Sequence, residues 1–149
     1  MKKCFIGIDP GKSGALAIIW PEGEPVTIDV FDEQAYRDRL LTASQDCQCI
    51  CCLEKVSAMP GQGVTSMFNF GDNFGFIRGL LTAYHIPYEL VRPQRWKKEY
   101  SLNQDKDASI REAHRLYPDV SLRRTDRCKT DHDGMAEALL MAEYARRKL

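Results

Sequence analysis

Residues 4–31 alternate short apolar runs with turn formers. Phe5-Ile6-Gly7-Ile8 ends on Asp9, Pro10-Gly11-Lys12 turns the chain, and Ala15-Leu16-Ala17-Ile18 resumes the apolar pattern. This predicts strands near 4–9, 14–20 and 26–31, joined through Pro10-Gly11-Lys12 and Pro21-Glu22-Gly23 into an antiparallel meander. Tyr36, Leu40 and Leu41 fall at helical spacing and predict a helix over 33–44. The run at 48–54 is apolar on both faces and stops on Glu54, the signature of a buried central strand. Residues 57–64 are rich in turn formers and read as a loop. A helix over 65–84 follows, carrying Met67, Phe70, Phe74, Ile77, Leu80, Leu81 and Tyr84. Its Gly71, Gly75 and Gly79 recur every fourth residue, a row expected to admit another backbone at close range. Residues 86–91 predict a fifth strand, Pro93 opens a short helical segment, and helices are expected over 105–116 and 131–148. The pattern is that of one α/β domain spanning 1–149, without repeat or linker.

Composition adds limits more than direction. With 28% charged and 44% hydrophobic residues the chain reads as an ordinary globular protein. No apolar run reaches the roughly 18 residues of a membrane span. The first twenty residues are strand-like and contain Asp9, unlike a signal peptide, so a cytoplasmic protein is expected. Basic and acidic residues balance at 21 each, but the distribution is uneven. Arg92, Arg95, Lys97 and Lys98 cluster around Trp96, and Arg123, Arg124, Arg127 and Lys129 form a second stretch interrupted by Asp126. Such runs suit a solvated surface or phosphate contacts. Of six cysteines, four fall in Cys47-Gln48-Cys49-Ile50-Cys51-Cys52, with His85, His114 and His132 scattered. That alternation along a strand favours core packing of reduced thiols over a zinc or disulfide role.

The acids carry the chemistry. A strand that ends on a bare, buried Asp is costly unless a cation pairs with it. Asp9 ends the first strand and Glu54 the fourth; if these two lie parallel and adjacent, both carboxylates meet at the carboxyl edge of the sheet, where α/β sites form. Asp133 and Glu137, four apart, share one face of the last helix. Taken alone, Thr130 with Asp133 reads as a helix cap and Glu137 as surface. Taken together, three or four carboxylates around one point call for a hard divalent cation such as Mg²⁺ or Mn²⁺. Two such ions can activate water and stabilise the leaving oxygen of a phosphodiester.

Gly7-Ile8-Asp9-Pro10-Gly11, Leu53-Glu54, the Ser66…Gly71…Gly75 helix and Asp133-Gly134-Met135-Ala136-Glu137-Ala138-Leu139, in that order, resemble the RuvC-type Holliday-junction resolvases of the ribonuclease H-like superfamily. The wording of residues 54–63 resembles the bacteriophage and prophage branch. The resemblance implies a mixed five-stranded sheet, three strands antiparallel and then two parallel, flanked by helices. It implies a homodimer that resolves four-way DNA junctions by paired symmetric cuts, in a bacterial cell and from a host or phage gene. It also implies Mg²⁺, with Mn²⁺ substituting and two ions per site, held by Asp9, Glu54, Asp133 and Glu137. No small-molecule cofactor and no membrane is implied. Lys97 and Lys106 match DNA-contacting lysines of the family, and Arg92, Arg95, Trp96, Lys98 and Lys129 are further candidate DNA contacts.

Two departures stand out. The family's last ligand is usually Asp where this chain has Glu137, which leaves Asp131 or Asp133 to share the ligation. The loop after Glu54 reads Ser57-Ala58-Met59 where bacterial members carry a large aromatic, so Met59 or Phe68 substitutes, or the junction is opened otherwise. Alternatives are a broader fork or flap nuclease and an inactive branched-DNA-binding module. A nucleotide-binding hairpin of the actin or sugar-kinase kind would need two domains and is disfavoured. Met67, Phe68 and Phe74 mark the expected dimer face.

Overall fold

The computed structural model describes residues 1–103 and 105–149, apart from the side chain of Lys106. Strands β1 (Lys3–Asp9), β2 (Ala15–Ile19), β3 (Thr27–Val30), β4 (Gln48–Glu54) and β5 (Tyr88–Val91) alternate with helices α1 (Glu33–Asp46), α2 (Val64–Ala83), α3 (Pro93–Glu99), α4 (Lys106–Leu116) and α5 (Asp133–Lys148). The sheet order is β3-β2-β1-β4-β5. β1, β2 and β3 pair antiparallel, whereas β4 runs parallel to β1 and β5 parallel to β4. This is the expected mixed five-stranded sheet, three strands antiparallel and then two parallel.

Register sorts the side chains. Ile8 pairs with Leu53, so the residues that follow, Asp9 and Glu54, leave the sheet side by side at one edge. Alternate residues Cys4, Ile6, Ile8, Cys49, Cys51 and Leu53 face α1 and α2, packing on Tyr36, Leu40, Ile77 and Leu81. The opposite face is built of small residues, including Ala15, Ala17 and Cys52, and receives α5. Gly7 makes this contact possible: a Cβ there would overlap the Ala138 carbonyl and the Ala142 amide. α3 and α4 then cover α5 from outside with Trp96, Tyr100 and Ala113, and Tyr100 donates a 2.7 Å hydrogen bond to the Leu140 carbonyl. Eleven of the sixteen α5 residues are buried in consequence.

Three expectations change. The α5 cap is His132, whose Nδ1 accepts from the Met135 amide at 3.1 Å, in place of a Thr130–Asp133 box. Gly71, Gly75 and Gly79 do not serve close packing: nothing lies within 4 Å of a Cβ at any of them, because α2 buries the opposite stripe, Asn73, Ile77 and Leu81. The fifth strand starts at Tyr88, since His85 takes a left-handed backbone (φ 56°) and the Ile86 amide bonds back to Leu81. Among the described residues no helix is long and apolar enough to cross a membrane.

Candidate active site

β1 and β4 deliver Asp9 and Glu54 to the same edge and the same face, and the first turns of α5 lie over that face. The hairpin after Asp9 is tightly built. Gly14 admits no Cβ because it would strike the Asp9 carbonyl. Gly11 adopts φ +110°, and its amide donates to Asn73 Oδ1 at 2.7 Å. On the α5 side, a Cβ at Gly134 would come within 2.8 Å of the Ser13 carbonyl. Hairpin and helix therefore meet backbone to backbone, which brings Asp133 and Glu137 toward Asp9.

The electrostatics show the convergence. Burial pushes the Asp9 carboxyl well above the usual carboxylate range, and the negative charges of Glu54, Glu137 and Asp133 push it further; Lys97 opposes them. Burial also raises Glu54, against the Trp96 indole and Lys97. Trp96 Nε1 donates to Glu54 Oε2 at 2.8 Å. Lys97 Nζ lies 3.9 Å from Glu137 Oε1. The other three predicted acids thus gather around Asp9, with the Lys97 ammonium among them. The set is open: among the described residues no three His, Cys, Asp or Glu side chains are arranged to hold a metal ion as they stand. The donors are nonetheless hard oxygens crowded around one carboxylate that burial and like charges hold above the usual range, a donor set that fits a divalent cation.

The fifth acid candidate lies elsewhere. Asp131 Oδ2 sits 2.7 Å from His114 Nε2, and its other oxygen is 3.8 Å from Arg123, so it ties the segment before α5 to α4. Trp96 is corrected as a DNA contact: it is fully buried, with no open face on which a base could stack. Lys97 and Lys98 line a cleft of about 540 Å³ with Ser101 and Asn103, and Arg92 lines a neighbouring one of about 740 Å³ with Lys55, Met59 and Gln62. The two meet at Pro93 and Gln94, one on each side of the α3 start. Arg95 is engaged by Glu89 at 2.6 Å and stacks over Tyr144. Lys129 is exposed in the loop before α5. Lys106, at the head of α4, has its side chain outside the described residues.

Two supporting residues escaped the sequence pattern. Trp96 stands among basic neighbours in the sequence, and its hydrogen bond to Glu54 follows only from the fold. Asn73 left a signal: it shares a helical stripe with Ile77 and Leu81, and a polar residue on a buried stripe has a partner to satisfy.

No protein-family model matches the chain, and no curated protein matches it in sequence. Solved structures do match in three dimensions. Thermus thermophilus RuvC, in complex with a Holliday junction substrate, superposes with a TM-score of 0.60 at 15% identity, covering 97% of this chain and 96% of that one. The Fowlpox virus resolvase, in complex with Holliday junction DNA, gives 0.54 at 17% identity over 97% and 99%. The yeast mitochondrial Holliday junction resolvase Ydc2 gives 0.50 at 15% identity over 95% and 77%. At these identities the similarity is one of fold.

Proposed function

We propose that the chain is a divalent-metal-dependent endonuclease that resolves four-way DNA junctions by paired, symmetric cleavage. The observation that carries this reading is the gathering of Asp9, Glu54, Asp133 and Glu137 at the shared edge of β1, β4 and α5. The similarity in fold to resolvases solved with junction DNA supports the choice of substrate.

Asp9 and Glu54 are the central ligands for Mg²⁺ or Mn²⁺, with two ions per site, and Asp133 and Glu137 complete the set from α5. When bound, the ions supply positive charge at the scissile phosphate and a more acidic water. The remaining work belongs to side chains of the chain itself. Lys97 offsets the crowded negative charge and stands where a phosphate would approach. Trp96 fixes the orientation of Glu54 through its single indole donor, a positioning role. Arg92 and Lys98, in the clefts flanking Pro93, hold the DNA backbone on either side of the cut.

Two symmetric cuts call for a two-fold enzyme, so the active species is a homodimer. Val64, Met67 and Phe68 on α2 are exposed, Phe68 at 73%, and provide the interface. Phe74 is half-buried against α1 and α2 residues and contributes less than expected.

A labelled synthetic four-way junction tests the reading. In Mg²⁺ the wild-type protein should produce paired nicks at symmetry-related positions, and Asp9→Asn should bind the junction without cutting. Cleavage by Asp9→Asn at the wild-type rate would overturn the proposal. Equal cutting of forks and flaps would mark a broader branched-DNA nuclease, and binding without nicks a non-catalytic module.

A further inference from the structure

The acidic site leaves the cysteine run unused. At the opposite, amino-terminal edge of the sheet, Cys4 of β1 and Cys49 of β4 are direct partners in the parallel register. Their Sγ atoms stand 3.1 Å apart. Paired residues on neighbouring strands are about 4.8 Å apart at Cα, within the roughly 4.4–6.8 Å that a disulfide spans. The two sulfurs need approach by only about 1 Å to reach bonding distance. Cys47 adds a third thiol nearby and lines a surface cleft of about 380 Å³ with Lys2, Trp20, Thr27 and Arg39. Cys51 lies further along β4, Cys52 points to the α5 face, and Cys128 shares a hydrogen bond with Thr125.

We propose that Cys4 and Cys49 form a peroxide-responsive dithiol that closes reversibly into a disulfide linking β1 to β4, reached through the cleft beside Cys47. Cys49, 8% exposed where Cys4 is fully buried, is the first to react. The close contact between the two sulfurs eases ionisation of Cys49, while the same contact and burial push Cys4 upward. The Cys49 thiolate attacks one oxygen of a hydroperoxide such as hydrogen peroxide, the O–O bond breaks, and Cys49 sulfenic acid and hydroxide result. The Cys4 sulfur then attacks the Cys49 sulfur; the S–O bond breaks and the hydroxyl leaves as water with the Cys4 proton. The first hydroxide takes up the proton released by Cys49. Two thiols and one peroxide give one disulfide and two waters, the sulfurs losing two electrons and the peroxide gaining them. A dithiol reductant reverses the reaction by exchange.

This inference is independent of the nuclease reading, and its test involves no DNA. The intact chain is exposed to hydrogen peroxide, its remaining thiols are alkylated in denaturant, and the tryptic peptides are mapped by mass spectrometry. The expected product joins the peptide of Cys4 to the one holding Cys47, Cys49, Cys51 and Cys52, with fragmentation assigning the bond to Cys49. Each chain should lose two hydrogens, dithiothreitol should restore them, and the oxidised chain should melt at a higher temperature. Cys49→Ser and Cys4→Ala should each abolish the cross-link. A dominant bond to Cys47, a sulfinic acid without cross-link, or unmodified Cys4 and Cys49 would each overturn the proposal. Mapping of the wild-type chain decides even if a variant fails to fold.

Discussion

The two ends of α5 each bury an acid against the rest of the protein, in opposite ways. Near its carboxyl end Glu143, 2% exposed, accepts hydrogen bonds from the Tyr117 hydroxyl and from Arg146 and Arg147, the last at 2.8 Å. Burial would raise its pKa, but Arg146, Tyr117 and Arg147 together hold it below the usual carboxylate range. Near the amino end, Asp9 faces Glu54, Glu137 and Asp133, and burial and like charge drive it the other way. One acid is an internal strut whose positive charge is already supplied by the chain. The other is faced by like charges that Lys97 opposes in part. A buried acid by itself says little about function; the sign of its surroundings says a great deal.

The strongest way to break this comparison is to neutralise each acid in turn. Asp9→Asn should reduce junction cleavage by roughly a thousandfold or more, the scale of several kcal/mol of lost transition-state stabilisation. In metal-free buffer at pH 7 the same variant should melt above wild type. Glu143→Gln should do the reverse. It should cut at close to the wild-type rate and lose about 2 kcal/mol of stability, since a buried, charge-assisted network is disrupted. Thermal denaturation and nicking assays on both variants check the pair. Matching signs for the two variants would erase the distinction.

Acidification sharpens it. The raised Asp9 group favours the fold when protonated, so its contribution is fully present below the unfolded-state pKa and is lost as pH rises through the folded-state value. Glu143, held low, contributes above its unfolded-state pKa and loses that contribution as pH falls through its folded value. The melting advantage of Asp9→Asn should therefore shrink as the pH is lowered from 7 toward 4, and so should the deficit of Glu143→Gln. Mg²⁺ should raise the wild-type melting midpoint and leave that of Asp9→Asn nearly unchanged.

A smaller effect is expected one step from the proposed ligands. Trp96→Phe keeps the buried ring but removes the 2.8 Å hydrogen bond to Glu54, and should slow cleavage roughly tenfold, the scale of one hydrogen bond to a charged group. Raised Mg²⁺ should recover part of the rate, which a merely loosened core would not allow. Smallest of all, Gly75→Ala on the open side of α2 should stabilise the isolated chain by about 0.5–1 kcal/mol through helix propensity. Chemical denaturation reads that change.

What the sequence made legible follows from which signals are local. The strand ending on Asp9, the apolar run ending on Glu54 and the i, i+4 pair Asp133/Glu137 each state their geometry in a few residues, and the parallel pairing of β1 with β4 brings them to one edge. The glycines were harder, because a small residue announces room without saying what fills it. Gly7, inside an ordinary strand, is the one pressed by the α5 backbone, whereas the regular row on α2 meets open space. Trp96 looked like a base-stacking residue among arginines and lysines, and only the packing of α3 on α5 turns it inward. Asp131 sits two residues from Asp133, but the start of the helix lies between them and sends it to His114.

The parallel register that sets Ile8 beside Leu53 also fixes how the gene can change length. Deleting one residue inside β4 would turn its terminal carboxylate to the α1/α2 side of the sheet, as complete a loss as replacing Glu54. Deleting two would restore the side but withdraw the carboxylate by roughly 6.6 Å along the strand. The loop that follows Glu54 has no such parity, and insertions there can reshape the surface beside the site while Asp9 and Glu54 stay where they are.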